Sequence, residues 1–161
     1  MDARLSTLFE RHGPLVYRRA LQLLGNPADA EEATQEVFIR AAAALDRFDP
    51  RAKISTWLYR ITSNYCLNSL RDRARQRVLL AENAEQVAPG SVPYDVGQMV
   101  LMRRLLAEAD PREAAAALAV FVDGMSHAEA AAVLEVSRRT VGNLCERFTT
   151  WAAQRLAEET P

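Results

Sequence analysis

Ser126-His127-Ala128-Glu129-Ala130-Ala131-Ala132-Val133-Leu134-Glu135-Val136-Ser137-Arg138-Arg139-Thr140-Val141-Gly142-Asn143-Leu144-Cys145 carries two helix starts eleven residues apart. Ser126 with Glu129 three residues on is a capping box, and Ala130, Ala131, Val133 and Leu134 follow as an apolar run. A short turn through Glu135-Val136 leads to Ser137, which is placed to cap a second helix with Val141, Leu144, Cys145 and Phe148 on its inner face. Two short helices about a tight turn, with alanine where they must approach closely, form the pattern of a DNA-binding helix-turn-helix. In that geometry the first turn of the second helix meets base edges. The candidates are then Arg138 and Arg139 for guanine, Thr140, and Asn143 for adenine, with Arg147 one turn on for a phosphate. An ordinary helical hairpin with solvated arginines carries the same pattern. Cys145 reads as a small core residue and His127 as a surface one.

The rest of the chain narrows the class. Of 161 residues, 49% are hydrophobic, too many for a disordered chain. No apolar run approaches the roughly 20 residues of a membrane helix, and Met1-Asp2-Ala3-Arg4-Leu5 lacks the apolar core of a secretory signal. Cys66 and Cys145 are 79 positions apart with no pair spacing suited to a metal. Neither a disulfide framework nor a zinc site is expected, and a reducing compartment is. With two histidines and no Gly-rich phosphate loop, the chain reads as a protein without enzyme activity, cofactor or metal.

Upstream of the helix-turn-helix the pattern is helical throughout. Leu5, Leu8, Phe9, Val16, Tyr17, Ala20, Leu21 and Leu24 mark one helix face, ended by Gly25-Asn26-Pro27. Asp29 and Glu32 suit the next helix start, with Ala33, Val37, Phe38, Ala41 and Leu45 on its apolar side. Phe48 to Lys53 reads as a loop. Ser55 then reads as the cap of a third helix, which packs Trp57, Leu58, Ile61 and Tyr65 inward and runs to about Arg77. Residues 82–97, with Pro89, Gly90, Ser91, Pro93 and Gly97, look like a linker. Helical pattern resumes at Met99, breaks at Asp110-Pro111, and continues from Pro111 to Val122. The expected fold is all-α: two small helical domains, 1–80 and 99–161, joined by a flexible linker at 81–98.

Charge is unevenly spread. The formal net charge is −1, yet residues 40–77 hold nine cations and three carboxylates, net +6. Such a patch attracts a phosphate backbone. Arg60, Asn64, Asn68 and Arg71 fall at steps of four, four and three, so they line one stripe opposite the Trp57–Leu58–Ile61 face, and Arg73, Arg75 and Arg77 extend it. The adjoining loop from Phe48 to Ser55 adds an aromatic, Arg51 and Lys53, a mix suited to an unstacked base or a single strand. The alternatives are a solvated basic face and a core role for Phe48.

Asp29-Ala30-Glu31-Glu32-Ala33-Thr34-Gln35-Glu36-Val37-Phe38, then Ser55-Thr56-Trp57-Leu58-Tyr59-Arg60-Ile61, then Gly124-Met125-Ser126 before the helix-turn-helix, resemble bacterial sigma factors. The resemblance is to the extracytoplasmic-function group of the sigma-70-like family and runs from about Leu5 to Leu156. It implies a factor that binds core RNA polymerase at its clamp and flap regions and directs promoter recognition, melting and initiation in the bacterial cytoplasm. Residues 1–80 would then be region 2 and 99–161 region 4. By the same resemblance, Asp29, Glu32, Gln35, Glu36, Phe38 and Ile39 are candidates for the polymerase contact. Phe48, Arg51, Lys53, Ser55, Trp57, Arg60, Asn64, Asn68 and Arg71 are candidates for the minus-ten element. Ser137, Arg138, Arg139, Thr140, Asn143 and Arg147 are candidates for the minus-thirty-five element. A monomer when free is expected, and an anti-sigma protein is a further partner that the resemblance allows. No added C-terminal domain is expected after Leu156.

The recognition helix departs from the family pattern, roughly Gly-Thr-Val-Lys-Ser-Arg. Here Gly142 and Leu144 stand where cations are usual, and Glu146 adds a carboxylate. Gly142 costs about 1 kcal/mol relative to alanine inside a helix, which suggests close approach to DNA. The alternative function is a stand-alone dimeric helix-turn-helix regulator; a mimic that sequesters a sigma factor is disfavoured by the intact cationic stripe.

Overall fold

A computed structural model describes residues 3–81 and 94–161, and all regular structure among them is helical. The chain divides into two compact units, Met1–Cys66 and Leu67–Pro161.

The first unit is built on α1 (Ala3–Leu24), α2 (Pro27–Ala44) and the start of α3 (Ile54–Ala81). Gly25 ends α1 at φ 74°, where a Cβ would be strained, and its N–H bonds to the Leu21 carbonyl at 2.8 Å. The next residue already starts α2: the Asn26 side-chain oxygen accepts from the N–H of Ala28 at 2.8 Å and of Asp29 at 3.3 Å. Pro27 occupies the first turn, where its missing N–H costs nothing. The helix therefore starts two residues ahead of Asp29, which lies inside the first turn as a carboxylate favoured by the helix dipole. A single 3-10 turn, Leu45–Arg47, closes α2.

Leu8 and Val16 of α1, Val37, Phe38 and Ala41 of α2, and Leu58 of α3 form the core, flanked by Leu5, Ile54, Trp57, Ile61 and Tyr65. Two arginines grip the sides of α3. The Arg19 guanidinium lies 4.6 Å over the Tyr59 ring and donates to the Ser63 hydroxyl at 3.2 Å, while Arg40 lies 5.0 Å over Tyr65. Ser55 is not the cap of α3. Trp57 N–H already bonds the Lys53 carbonyl at 3.2 Å, so Ser55 sits exposed within the first turn. The reason is local: a turn closed by Ala52 N–H on the Asp49 carbonyl, 3.0 Å, leads straight into the helix.

The second unit contains the end of α3, then α4 (Tyr94–Glu108), α5 (Pro111–Ala117), α6 (His127–Leu134) and α7 (Arg138–Glu159). α4 begins at Tyr94, ahead of Met99, and includes Gly97; the remainder of the expected linker, residues 82–93, lies outside the described residues. Asp110 caps α5 through the N–H groups of Arg112 and Glu113. The helix expected to reach Val122 as one element widens into a π turn over Leu118–Val122, closed by Asp123 N–H on the Leu118 carbonyl at 3.0 Å, before Gly124 turns at φ 69°. Ala116, Ala119, Ala130, Ala131, Val141, Leu144 and Cys145 form the core, and its alanines let the helices approach closely. α7 is tied to α4 by Arg104–Glu159 at 2.6 Å and Arg155–Glu108 at 3.0 Å. These carboxylates hold the Arg155 proton more tightly than usual.

Asn26→Ala removes the acceptor for two otherwise orphaned N–H groups and is expected to cost about 0.5–2 kcal/mol, read from the midpoint of urea unfolding.

Candidate nucleic-acid interface

α3 presents Arg60, Asn64, Asn68 and Arg71 along its length. Asn64 and Asn68 are exposed, and Arg60 and Arg71 are half-buried. Arg71 donates to the Asn68 side-chain carbonyl at 2.8 Å. That bond occupies one lone pair of the carbonyl and leaves its second lone pair and the N–H2 donors of the exposed Asn68. Arg75 and Arg77 follow, both exposed.

The loop before α3 is more ordered than its composition suggests. Phe48 is half-buried with its ring 4.8 Å from that of Trp57, tilted by 44°, so the two aromatics form one surface beside the exposed Lys53 and Ser55. Arg51 is held by its neighbour. Its Nε and Nη2 donate to the two carboxylate oxygens of Asp49 at 3.2 Å each, and its backbone N–H donates to the same group at 2.9 Å. These bonds keep the Asp49 carboxyl below the usual carboxylate range. Arg51 thus commits two of its five N–H donors to Asp49, while its side chain stays 90% exposed.

In the C-terminal unit the helix-turn-helix forms as its caps dictate. Ser126 Oγ accepts from Glu129 N–H at 3.1 Å, and Glu135 adopts the left-handed conformation at φ 57° to close α6. Ser137 Oγ accepts from Thr140 N–H at 3.1 Å, and the two hydroxyls pair at 2.9 Å. Ser137 and Thr140 are therefore occupied in shaping the helix start. Arg138, Arg139, Asn143 and Arg147 are exposed. Leu144 is only 6% exposed, so this departure from a cation supplies core, not surface. Gly142 faces α6: a methyl added there would lie 3.7 Å from Nδ1 of His127, an ordinary contact. His127 is exposed on a neighbouring surface of the recognition helix, a placement that capping-box reading misses. An open groove of about 620 Å³ lies between Glu113 of α5 and Asn143, Glu146, Arg147, Thr150, Trp151 and Gln154 of α7. The last three were not singled out in sequence, although 143, 147, 151 and 146, 150, 154 recur at four-residue steps.

On α2, Glu32, Gln35 and Ile39 are exposed, Ile39 by 62%, and Asp29 is half-buried. Glu36 pairs with Arg40 at 3.0 Å. Phe38 must be removed from the candidate contact surface. It is 5% exposed and meets Phe9 edge to face at 4.9 Å, because the apolar side of α2 is wide enough to bury both Val37 and Phe38.

Residues 8–76 match the family described as sigma-70 region 2. The chain is 30% identical over 149 residues to the ECF RNA polymerase sigma factor SigM of Mycobacterium tuberculosis, covering 92% of this chain and 75% of SigM. The chain belongs to the sigma-70 family. The relatives named as ECF sigma factors place it in the extracytoplasmic-function group. It is also 34% identical over 146 residues to SigE of Mycolicibacterium smegmatis, covering 87% of this chain but spanning only 56% of that relative's length. Among solved structures, the sigma factor RpoE in complex with the anti-sigma factor NepR from Bartonella quintana shares the fold: TM-score 0.56 and 20% identity, over 99% of this sigma-family chain and 100% of that one.

Two outcomes are expected from this geometry. Gly142→Ala should stabilise the fold by up to about 1 kcal/mol in urea unfolding, since helix propensity improves and the methyl has room. The Asp49–Arg51 fork, whose carboxyl is depressed, should persist as pH falls through the ordinary carboxylate range and open only below it. A carbon NMR titration of Asp49 should show a midpoint that rises toward the ordinary value in Arg51→Ala.

Proposed function

We propose that the chain is a promoter-specificity factor that binds core RNA polymerase and directs recognition and melting of promoters. Membership of the sigma-70 family carries this reading, with the Arg60–Asn64–Asn68–Arg71 stripe and the exposed Arg138, Arg139 and Asn143 as its chemistry. The helices through α3 act as region 2 and α4 to α7 as region 4, with residues 82–93 joining them in the chain. The protein works by binding, not as an enzyme, and its place of action is the bacterial cytoplasm.

In this scheme Asp29, Glu32, Gln35, Glu36 and Ile39 on α2 engage the polymerase clamp, and the C-terminal module engages the flap. The minus-ten element meets α3 and the Phe48–Ser55 loop. The amides of Asn64 and Asn68 address base edges, the arginines neutralise phosphates, and the Phe48–Trp57 surface receives an unstacked base. Arg138, Arg139 and Asn143 enter the minus-thirty-five major groove, and Arg147 holds a phosphate. The naming of relatives as RNA polymerase sigma factors favours this reading over a stand-alone dimeric regulator. The fold shared with a sigma factor held by an anti-sigma protein supports control by such a partner here as well.

Size-exclusion chromatography of the chain with sigma-free core polymerase should give one-to-one co-elution; a separate dimer peak with no polymerase association would refute the reading. Joint replacement of Arg60 and Asn64 by alanine should abolish promoter opening, scored by permanganate reactivity, and leave polymerase co-elution intact. Arg138→Ala or Arg139→Ala should weaken promoter binding by about 1–3 kcal/mol for each base-reading contact removed, measured by filter binding with holoenzyme.

A further inference from the structure

Asp49 and Arg51 stand in the loop that leads into α3. The N–H of Ala52 closes a turn on the Asp49 carbonyl at 3.0 Å, with Pro50 and Arg51 as its two central residues. Pro50 fixes its own φ, and Asp49 Oδ1 accepts the backbone N–H of Arg51 at 2.9 Å, so the backbone of the turn is set. The side chain is set as well. Nε and Nη2 of Arg51 each donate to one carboxylate oxygen of Asp49, which engages the side edge of the guanidinium. The end edge stays open, where one N–H of Nη1 and the second N–H of Nη2 point outward side by side. That edge belongs to a side chain that is 90% exposed.

We infer that Arg51 reads a guanine of the promoter strand through this open edge, and that Asp49 is the residue that positions it. The inference rests on the reading of the Phe48–Ser55 loop as a contact for an unstacked strand. Two parallel N–H donors match the O6 and N7 acceptors of guanine; adenine presents one acceptor and one donor there, and the pyrimidines present no such pair. A phosphate also offers paired acceptors, but it brings negative charge up to Asp49. The fork carries no net charge, so it attracts a phosphate far less than a free arginine does, whereas a guanine edge has no formal charge to repel. The exposed Lys53, two residues on, is the loop's point charge for a phosphate. A guanidinium already held in place loses little rotamer freedom when the base arrives, and this favours the one ligand whose acceptors fit. The tilted pair of Phe48 and Trp57 begins in the same loop and suits a strand whose bases are already unstacked.

The test is fluorescence anisotropy of the full chain at low salt on single strands of about 12 nucleotides. One strand is thymine with a single central guanine, the second carries 7-deazaguanine in its place, and the third is thymine throughout. The native chain should bind the guanine strand about tenfold more tightly than the 7-deazaguanine strand, which keeps the shape and charge but lacks N7. Arg51→Lys keeps the cation without the paired donors and should lose that preference while still binding all three strands. Asp49→Asn keeps an acceptor for the turn but sets an amide N–H2 against Nη2, and it should lose the preference too. Joint replacement of Arg60 and Asn64 by alanine reads strand binding by α3 independently and should weaken all three complexes alike. If the native chain shows no preference and Arg51→Ala weakens all strands equally, Arg51 is a phosphate contact only and the guanine reading is overturned. A preference that survives in Arg51→Lys overturns it as well, and one that survives only in Asp49→Asn overturns the positioning role. If no strand is bound even at low salt, or the Arg60 and Asn64 replacements change nothing, the strand-binding reading of this unit falls and takes the guanine contact with it.

Discussion

The burial of Leu58, flanked by Trp57 and Ile61, against Val16 and Val37 is the contact on which the N-terminal unit depends. A helix presents a fixed chemical stripe only if the opposite stripe is immobilised, and here the core face of α3 does that. Arg19 over Tyr59 and Arg40 over Tyr65 add lateral grips that resist rotation of α3 about its own axis. Under the proposed reading rotation matters, because the successive polar residues of the stripe would meet successive features of one nucleic-acid strand. Cations placed on α1 and α2 therefore serve the site indirectly, through aromatic faces.

The C-terminal unit solves the same problem with smaller side chains. Alanines at 116, 119, 130 and 131 let α5, α6 and α7 approach closely around Val141 and Leu144. Close approach has a consequence at the surface as well as in the core: it brings the α6 imidazole onto Gly142 of α7. The two departures from the usual recognition helix therefore stand in different surroundings. Leu144 completes the core, and Gly142 lies beside the His127 ring of α6 with room left for a methyl.

Most of the architecture was legible because helices announce themselves by period and by caps. The Ser126 and Ser137 starts, the Gly25 and Gly124 turns and the Asp110-Pro111 break all stand where local chemistry puts them. Two helix starts were misread for a common reason. Asn26 and Asp29 are both good caps, as are Ser55 and the turn at Asp49, and the choice between adjacent candidates depends on backbone geometry that residue type does not specify. The π turn at Leu118–Val122 has no sequence signature separate from that of an α-helix.

For the candidate site, residue types and spacing were enough to find the cationic stripe on α3 and the exposed arginines of α7, since these follow from helical period alone. Tertiary structure decided what each side chain is free to do. Phe38 was read both as part of the apolar side of α2 and as a polymerase contact, and its burial in the core beside Phe9 decides for the first. Arg51 carries a formal cation in sequence, but the turn around Asp49 converts it into half of an ion pair. His127 and Gly142 are fifteen positions apart and meet only because the turn at Glu135 folds α6 onto α7. Local interactions along the chain write the helices and their polar stripes; which groups remain unpaired and exposed depends on contacts between residues distant in sequence, and those exist only once the helices pack.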